Sequence, residues 1–98
     1  MTRVVDGEGA HLAAITRAAD FRDRRVLEIG GGDGRLTWGF APSARSVLVT
    51  DPGAESIAAA RESCPAELQV KVRFKVASAA EIELDRETID LVFFSWSL

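Results

Sequence analysis

Residues 26–37, Val-Leu-Glu-Ile-Gly-Gly-Gly-Asp-Gly-Arg-Leu-Thr, restrict the fold of this chain more than any other stretch. Val26, Leu27 and Ile29, with one acid between them, run straight into glycines at 30, 31, 32 and 34. A helix-like segment with Arg35, Leu36 and Phe40 follows. A strand that empties into a glycine turn at a helix start lets a ligand approach bare backbone, and it is an α/β device. Glu28, inside the strand end, points to a ligand with a cationic portion rather than to one held mainly by phosphates.

The rest of the chain fits an α/β layer. Strands are expected at residues 26–29, 46–50, 70–76 and 89–95, and helices at 8–20, 34–41 and 54–63. A single helical turn is expected at 78–83. The third strand alternates Val70, Val72, Phe74 and Val76 with Lys71, Arg73 and Lys75, a pattern suited to a sheet edge. The fourth, Ile89–Ser95, is nearly all apolar, as a strand covered on both faces should be. The order of elements predicts parallel strands with right-handed crossovers. At 98 residues the chain is one domain at most.

A net charge of −3 and ten scattered arginines give no basic stripe, which argues against nucleic acid. The one cysteine, Cys64, has no internal partner for a disulfide, and no His/Cys/Asp/Glu set has metal-ligand spacing. No apolar run reaches the ~18 residues of a membrane span, and the N-terminus lacks a signal-peptide core. These features predict a cytoplasmic protein that binds no membrane.

Ligands of open parallel sheets sit beyond the carboxyl ends of the strands. Four groups fall there: the glycine loop 30–34, Asp51 after the second strand, Ala77–Ala80 after the third, and Ser95-Trp96 after the fourth. Asp51 lies 23 positions after Glu28, where a carboxylate can accept both hydroxyls of a ribose. Each also has a purely structural explanation. The glycines permit close strand–helix packing, and Asp51 before Pro52 is a good turn starter or helix cap. Asp33 suits a turn, Trp38 and Trp96 suit packing, and His11 has no cluster around it.

A nicotinamide dinucleotide site also uses glycines and a later acid, but its G-x-G-x-x-G/A register fails. Started at Gly30 it ends on Arg35, and started at Gly32 it ends on Thr37. The phosphate loop G-x-x-x-x-G-K-[ST] is absent, since no lysine precedes position 71. The pattern present is E-x-G-x-G-x-G over residues 28–34.

With these residues assembled, the chain resembles the first half of a class I S-adenosylmethionine-dependent methyltransferase. Leu27–Gly34 is similar to that family's first motif and Val49-Thr50-Asp51-Pro52 to its second. Ser78 to Glu81 falls at the third and Asp90 to Ser95 at the fourth. The resemblance implies a Rossmann-like parallel sheet of order 3-2-1-4, incomplete relative to the family's seven strands. It implies S-adenosyl-L-methionine as cofactor, with the Gly30, Gly31 and Gly32 backbone at its methionine moiety. Glu28 would hold the loop or the amino group, and Asp51 the ribose hydroxyls. Pro52 and Ala79 would flank the adenine, Ser78 would lie near its polar edge, and Ser95 would border the reacting end.

Two departures follow. Where the family often has an aspartate on the adenine amino group, this chain has Ser78, which gives up about 1–2 kcal/mol of charge-assisted bonding. Glu81 is offset too far to replace it. The chain also ends at Leu98, before the strands that follow in the family order 3-2-1-4 then 5-7-6. The expectation is therefore a partial methyltransferase domain over residues 1–98, with the outer edge of the fourth strand bare. Self-association or a partner chain would cover that edge. Ser95-Trp96-Ser97-Leu98 offers no strong base, so no catalytic residue is assigned and the acceptor stays open. The alternative is a cofactor-binding or interaction module without catalysis.

Overall fold

A computed structural model describes residues 21–32, 34, 36–82 and 88–94, together with the backbone of 3–6. Five parallel strands form one sheet: β1 (Arg3–Asp6), β2 (Arg25–Ile29), β3 (Ser46–Asp51), β4 (Val72–Val76) and β5 (Leu91–Phe94). Their order is β1-β5-β2-β3-β4. The last four of these reproduce the expected 3-2-1-4 arrangement. Two helices are described, α1 (Thr37–Phe40) and α2 (Ala54–Ser63), with short 3-10 turns at Ala66–Leu68 and Ala79–Glu81.

Alternation along the strands sends Val26, Val47, Val49, Val72, Leu91 and Phe93 to one face. There they pack with Phe21, Phe40, Ile57, Cys64 and Leu68. Phe21 stacks on Phe40 at 4.3 Å, and both meet Phe93 edge-on at 5.7 and 5.5 Å. Leu27, Ile29 and Val92 point the other way, against Leu48, Ile82, Ile89 and Phe94. The central strands β2 and β5 therefore carry apolar residues on both faces, which is why they read as near-continuous hydrophobic runs.

Helix α2 keeps its expected bounds, whereas three other elements shrink. The first helix after the glycines begins only at Thr37, because Gly34 holds φ at +89°, outside helical space. β4 begins at Val72 rather than Val70. Val70 sits in the preceding turn and is 91% exposed, while Lys71 is drawn aside to the carbonyls of Pro42 and Ala44, at 2.9 and 2.8 Å. β5 begins at Leu91, since Asp90 is engaged at the strand's entrance by Arg25. The helix expected at 8–20 and residues Ser95 and Trp96 lie outside the described residues.

One expectation is corrected. The outer edge of the fourth strand, β5, is not bare: Arg3–Asp6 pairs with it in parallel, Arg3 opposite Leu91 and Asp6 opposite Phe94. The cover thus comes from the same chain, which removes the ground for self-association or a partner chain at that edge. A four-residue Arg-Val-Val-Asp strand has too little alternation to be legible. Its pairing is set by a contact far along the sequence, with backbone groups that would otherwise template association.

At the amino ends of the strands, Arg25 grips Asp90. Its Nε and one terminal nitrogen each donate to a different carboxylate oxygen at 2.9 Å, and the Arg25 amide adds a bond of 2.8 Å. These bonds hold the Asp90 carboxyl well below the usual carboxylate range. A depressed folded-state value means the bridge stabilises the fold above the unfolded pKa of about 3.9. That contribution fades as pH falls through this value toward the lower folded one. Both side chains are about one-third exposed, so screening keeps it near ~1 kcal/mol. Asp90→Asn is expected to lose that amount in urea unfolding at pH 7, with the gap to wild type closing below about pH 4. A gap unchanged at pH 3 would contradict this.

Candidate functional site

The carboxyl ends of β2, β3 and β4 lie side by side in register: Ile29 with Thr50, and Asp51 with Val76. The Ala77 amide donates to the Asp51 carbonyl at 3.0 Å and carries the alignment one residue past β4. The glycine loop, Asp51-Pro52-Gly53 and Ser78-Ala79 are thereby brought to one rim, as the sequence motifs require.

The loop is built from below. Glu28, with no exposed surface, accepts a hydrogen bond on Oε1 from the hydroxyl of Thr37, itself fully buried at the start of α1. The Thr50 hydroxyl donates to the Glu28 carbonyl at 2.9 Å. Over this buried acid lies Gly31, also buried. A Cβ there would press into Val49 Cγ1 and come within 3.4 Å of the Glu28 carboxyl carbon. The position is closed to side chains by close approach, not by its backbone angle, whereas Gly30 and Gly32 hold φ at +79° and +59°.

The described amides of the loop are all used inside the protein. Gly30 and Gly31 donate to the Thr50 carbonyl at 2.9 and 3.0 Å, and Gly34 donates to the Gly31 carbonyl at 3.2 Å. Gly32 donates to Asp51 Oδ2 at 3.0 Å. The other Asp51 oxygen, Oδ1, accepts the Gly53 amide at 2.8 Å. Asp51 thus ties the glycine loop to the start of α2. A carboxylate has about four acceptor positions, so two remain on this half-buried residue. No described amide of the glycine loop is left to point at a ligand, the reverse of a phosphate cradle.

Ser78, half-buried, caps the turn Ala79–Glu81: its hydroxyl accepts the Glu81 amide, and Glu81 Oε1 accepts the Ser78 amide at 2.9 Å. These bonds to Ser78 hold the exposed Glu81 carboxyl below its ordinary value. Pro52 and Ala79 are exposed. Trp38 packs edge-on against Phe74, with ring centroids 6.2 Å apart, in the role of a packing residue. Ser95, Trp96 and Asp33 lie outside the described residues.

Sequence reasoning passed over Thr37, Thr50 and Gly53. Thr37 lies three residues past Gly34, where the glycine pattern ends, and a hydroxyl there near the strand-end acid was the available signal. A cavity of about 340 Å³ opens on the Leu27 face and runs to the strand ends at Thr50 and Glu81. Among the described residues no helix is long and apolar enough to cross a membrane, and no group of His, Cys, Asp and Glu could hold a metal ion.

Parallel sheet, glycine loop and paired strand-end acid define a Rossmann-like, nucleoside-binding class of protein. The profile of the methyltransferase domain family matches residues 26–98, and the chain belongs to that family, as part of a class I S-adenosylmethionine-dependent methyltransferase domain. A search of the curated proteins found no match.

Solved structures agree in fold. YcgJ from Bacillus subtilis is similar with a TM-score of 0.74 at 24% identity, over 85% of this chain and 36% of that one. Phosphoethanolamine N-methyltransferase 1 from Haemonchus contortus, solved with phosphoethanolamine and S-adenosylhomocysteine, gives 0.74 at 30% identity. That likeness covers 85% of this chain and 18% of that one. A dimethyladenosine transferase from Plasmodium falciparum gives 0.75 at 26%, over 85% and 30%. The chain therefore spans less than two-fifths of the length of each.

Proposed function

We propose that this chain binds S-adenosylmethionine at the rim formed by Gly30–Gly32, Asp51, Pro52, Ser78 and Ala79, and serves methyl transfer to an acceptor that these residues do not specify. One observation carries the reading: the described amides of the glycine loop are all consumed internally, so the loop turns none of them toward a ligand, while the Asp51 carboxylate keeps acceptor positions. Acceptors suit a ligand bearing an ammonium group and ribose hydroxyls, and they suit a polyphosphate badly.

When bound, the cofactor supplies an activated methyl group on a sulfonium. Against it, the loop carbonyls orient the ammonium end, and the two remaining acceptor positions of Asp51 receive the ribose hydroxyls. Pro52 and Ala79 give the flat base two small, exposed surfaces. Glu28 acts beneath the loop: with no exposed surface, it fixes the backbone that the ligand touches. Fixing that backbone in advance is the protein's main contribution to such a transfer. A cytoplasmic location belongs to this reading, since a buried thiol such as Cys64 stays reduced there.

Calorimetric titration tests it. S-adenosylhomocysteine is expected to bind at one site per chain, with NAD and ATP giving no comparable heat. Binding of NAD as tight as that of S-adenosylhomocysteine would overturn the acceptor argument.

A further inference from the structure

Ser78 alone leaves the base of the cofactor without a strong polar partner. The capping box supplies one. Glu81 lies three residues further on, an offset that set it aside in the sequence, but its side chain folds back on the Ser78 amide at 2.9 Å. The carboxylate therefore sits at Ser78 itself, one residue past the Ala77 amide that bonds to the Asp51 carbonyl.

A ligand whose ribose is held by Asp51 must lay its base across the neighbouring strand end, because one glycosidic bond separates the two. That end is Ser78-Ala79. The amino group of adenine is a donor and needs an acceptor. The Ser78 hydroxyl already accepts the Glu81 amide, whereas the Glu81 carboxylate, bonded by both the amide and the side chain of Ser78, keeps about two of its roughly four acceptor positions. We propose that Glu81 is the specificity-determining residue that accepts a hydrogen bond from the 6-amino group of adenine. The capping box thus does two things: it ends β4 cleanly, and it delivers a carboxylate to the base. The inference rests on the proposed cofactor and assigns one further residue to it. Lys75, close enough to favour the ionised form of Glu81, helps keep the acceptor an anion.

The test compares S-adenosylhomocysteine with its purine analogue carrying hydrogen in place of the 6-amino group. Wild type is expected to prefer the amino form about tenfold to a hundredfold, the span of a hydrogen bond to a charged group. Glu81→Ala should bring that preference close to one. Glu81→Gln, which can still accept the Ser78 amide, should fall between. Adding Ser78→Asp to Glu81→Ala should restore the preference.

If Glu81 only caps the turn, its loss weakens both ligands alike and leaves their ratio unchanged. That unchanged ratio, in a protein that still binds S-adenosylhomocysteine, would overturn the inference and spare the cofactor reading. No binding of either ligand by wild type would overturn the cofactor reading and the inference with it.

Discussion

Gly31→Ala is expected to lower the melting temperature by about 10–20 °C and to abolish measurable cofactor binding. The added methyl has nowhere to go: Val49 Cγ1 occupies the space, and the Glu28 carboxyl carbon is only 3.4 Å away. Both neighbours have no exposed surface, and Glu28 is held by Thr37. Overpacking of this kind costs about 1–3 kcal/mol, and each kcal/mol moves the midpoint of a domain this size by roughly 4–8 °C.

Because the obstacle is steric, it should be relievable. Val49→Ala removes the offending methyl at a cost of its own, and the double variant should be more stable than the sum of the singles by about 1–2 kcal/mol. Strict additivity would show that Gly31 is required for another reason.

Asp51→Ala is the second large effect, and it acts on both stability and binding. In the folded chain the carboxylate satisfies the amides of Gly32 and Gly53, so its loss frees both ends of the tie between loop and α2. We expect a loss of about 1–2 kcal/mol in unfolding free energy. If the remaining acceptor positions receive ribose hydroxyls, affinity for S-adenosylhomocysteine falls by a further ~1–3 kcal/mol, roughly tenfold to more than a hundredfold.

The two contributions separate with an analogue lacking both hydroxyls. Wild type should bind that analogue poorly, and Asp51→Ala should bind it about as well as it binds the parent compound. Wild type binding both ligands equally would leave Asp51 as a tie between loops and nothing more.

The central part of this fold was readable because its signals are local. Val-Leu-Glu-Ile into glycine marks a buried strand and its turn, and an Ala-rich run between Gly53 and Cys64-Pro65 marks a helix within its observed bounds. Asp51 could be placed at a strand end from spacing alone. What escaped depended on contacts distant in sequence. Arg3–Asp6 is a strand only because β5 lies beside it, and its four residues have no pattern of their own. Val70 continued the alternation of the third strand yet stands in a turn, since Lys71 is pulled to the carbonyls of Pro42 and Ala44.

The site shows the same division. The places of the candidate residues at the strand ends were legible, but three details of how they are held lie in packing and hydrogen bonding. Glu28 has no exposed surface, so it acts from under the loop. Thr37 holds it there. Glu81 returns to Ser78 through the reciprocal bonds of a capping box, for which the Ser-x-x-Glu spacing was the available signal.

The central claim is that the rim at the strand ends receives S-adenosylmethionine. It is tested most directly by following backbone amide resonances during titration with S-adenosylhomocysteine. The account predicts shifts concentrated at Gly30–Gly32, Asp51, Gly53, Ser78 and Ala79, with Arg25, Asp90 and the 66–71 turn unmoved. Shifts centred instead on Leu27, Leu48, Ile82 and Ile89, around the 340 Å³ cavity on the other side, would contradict it.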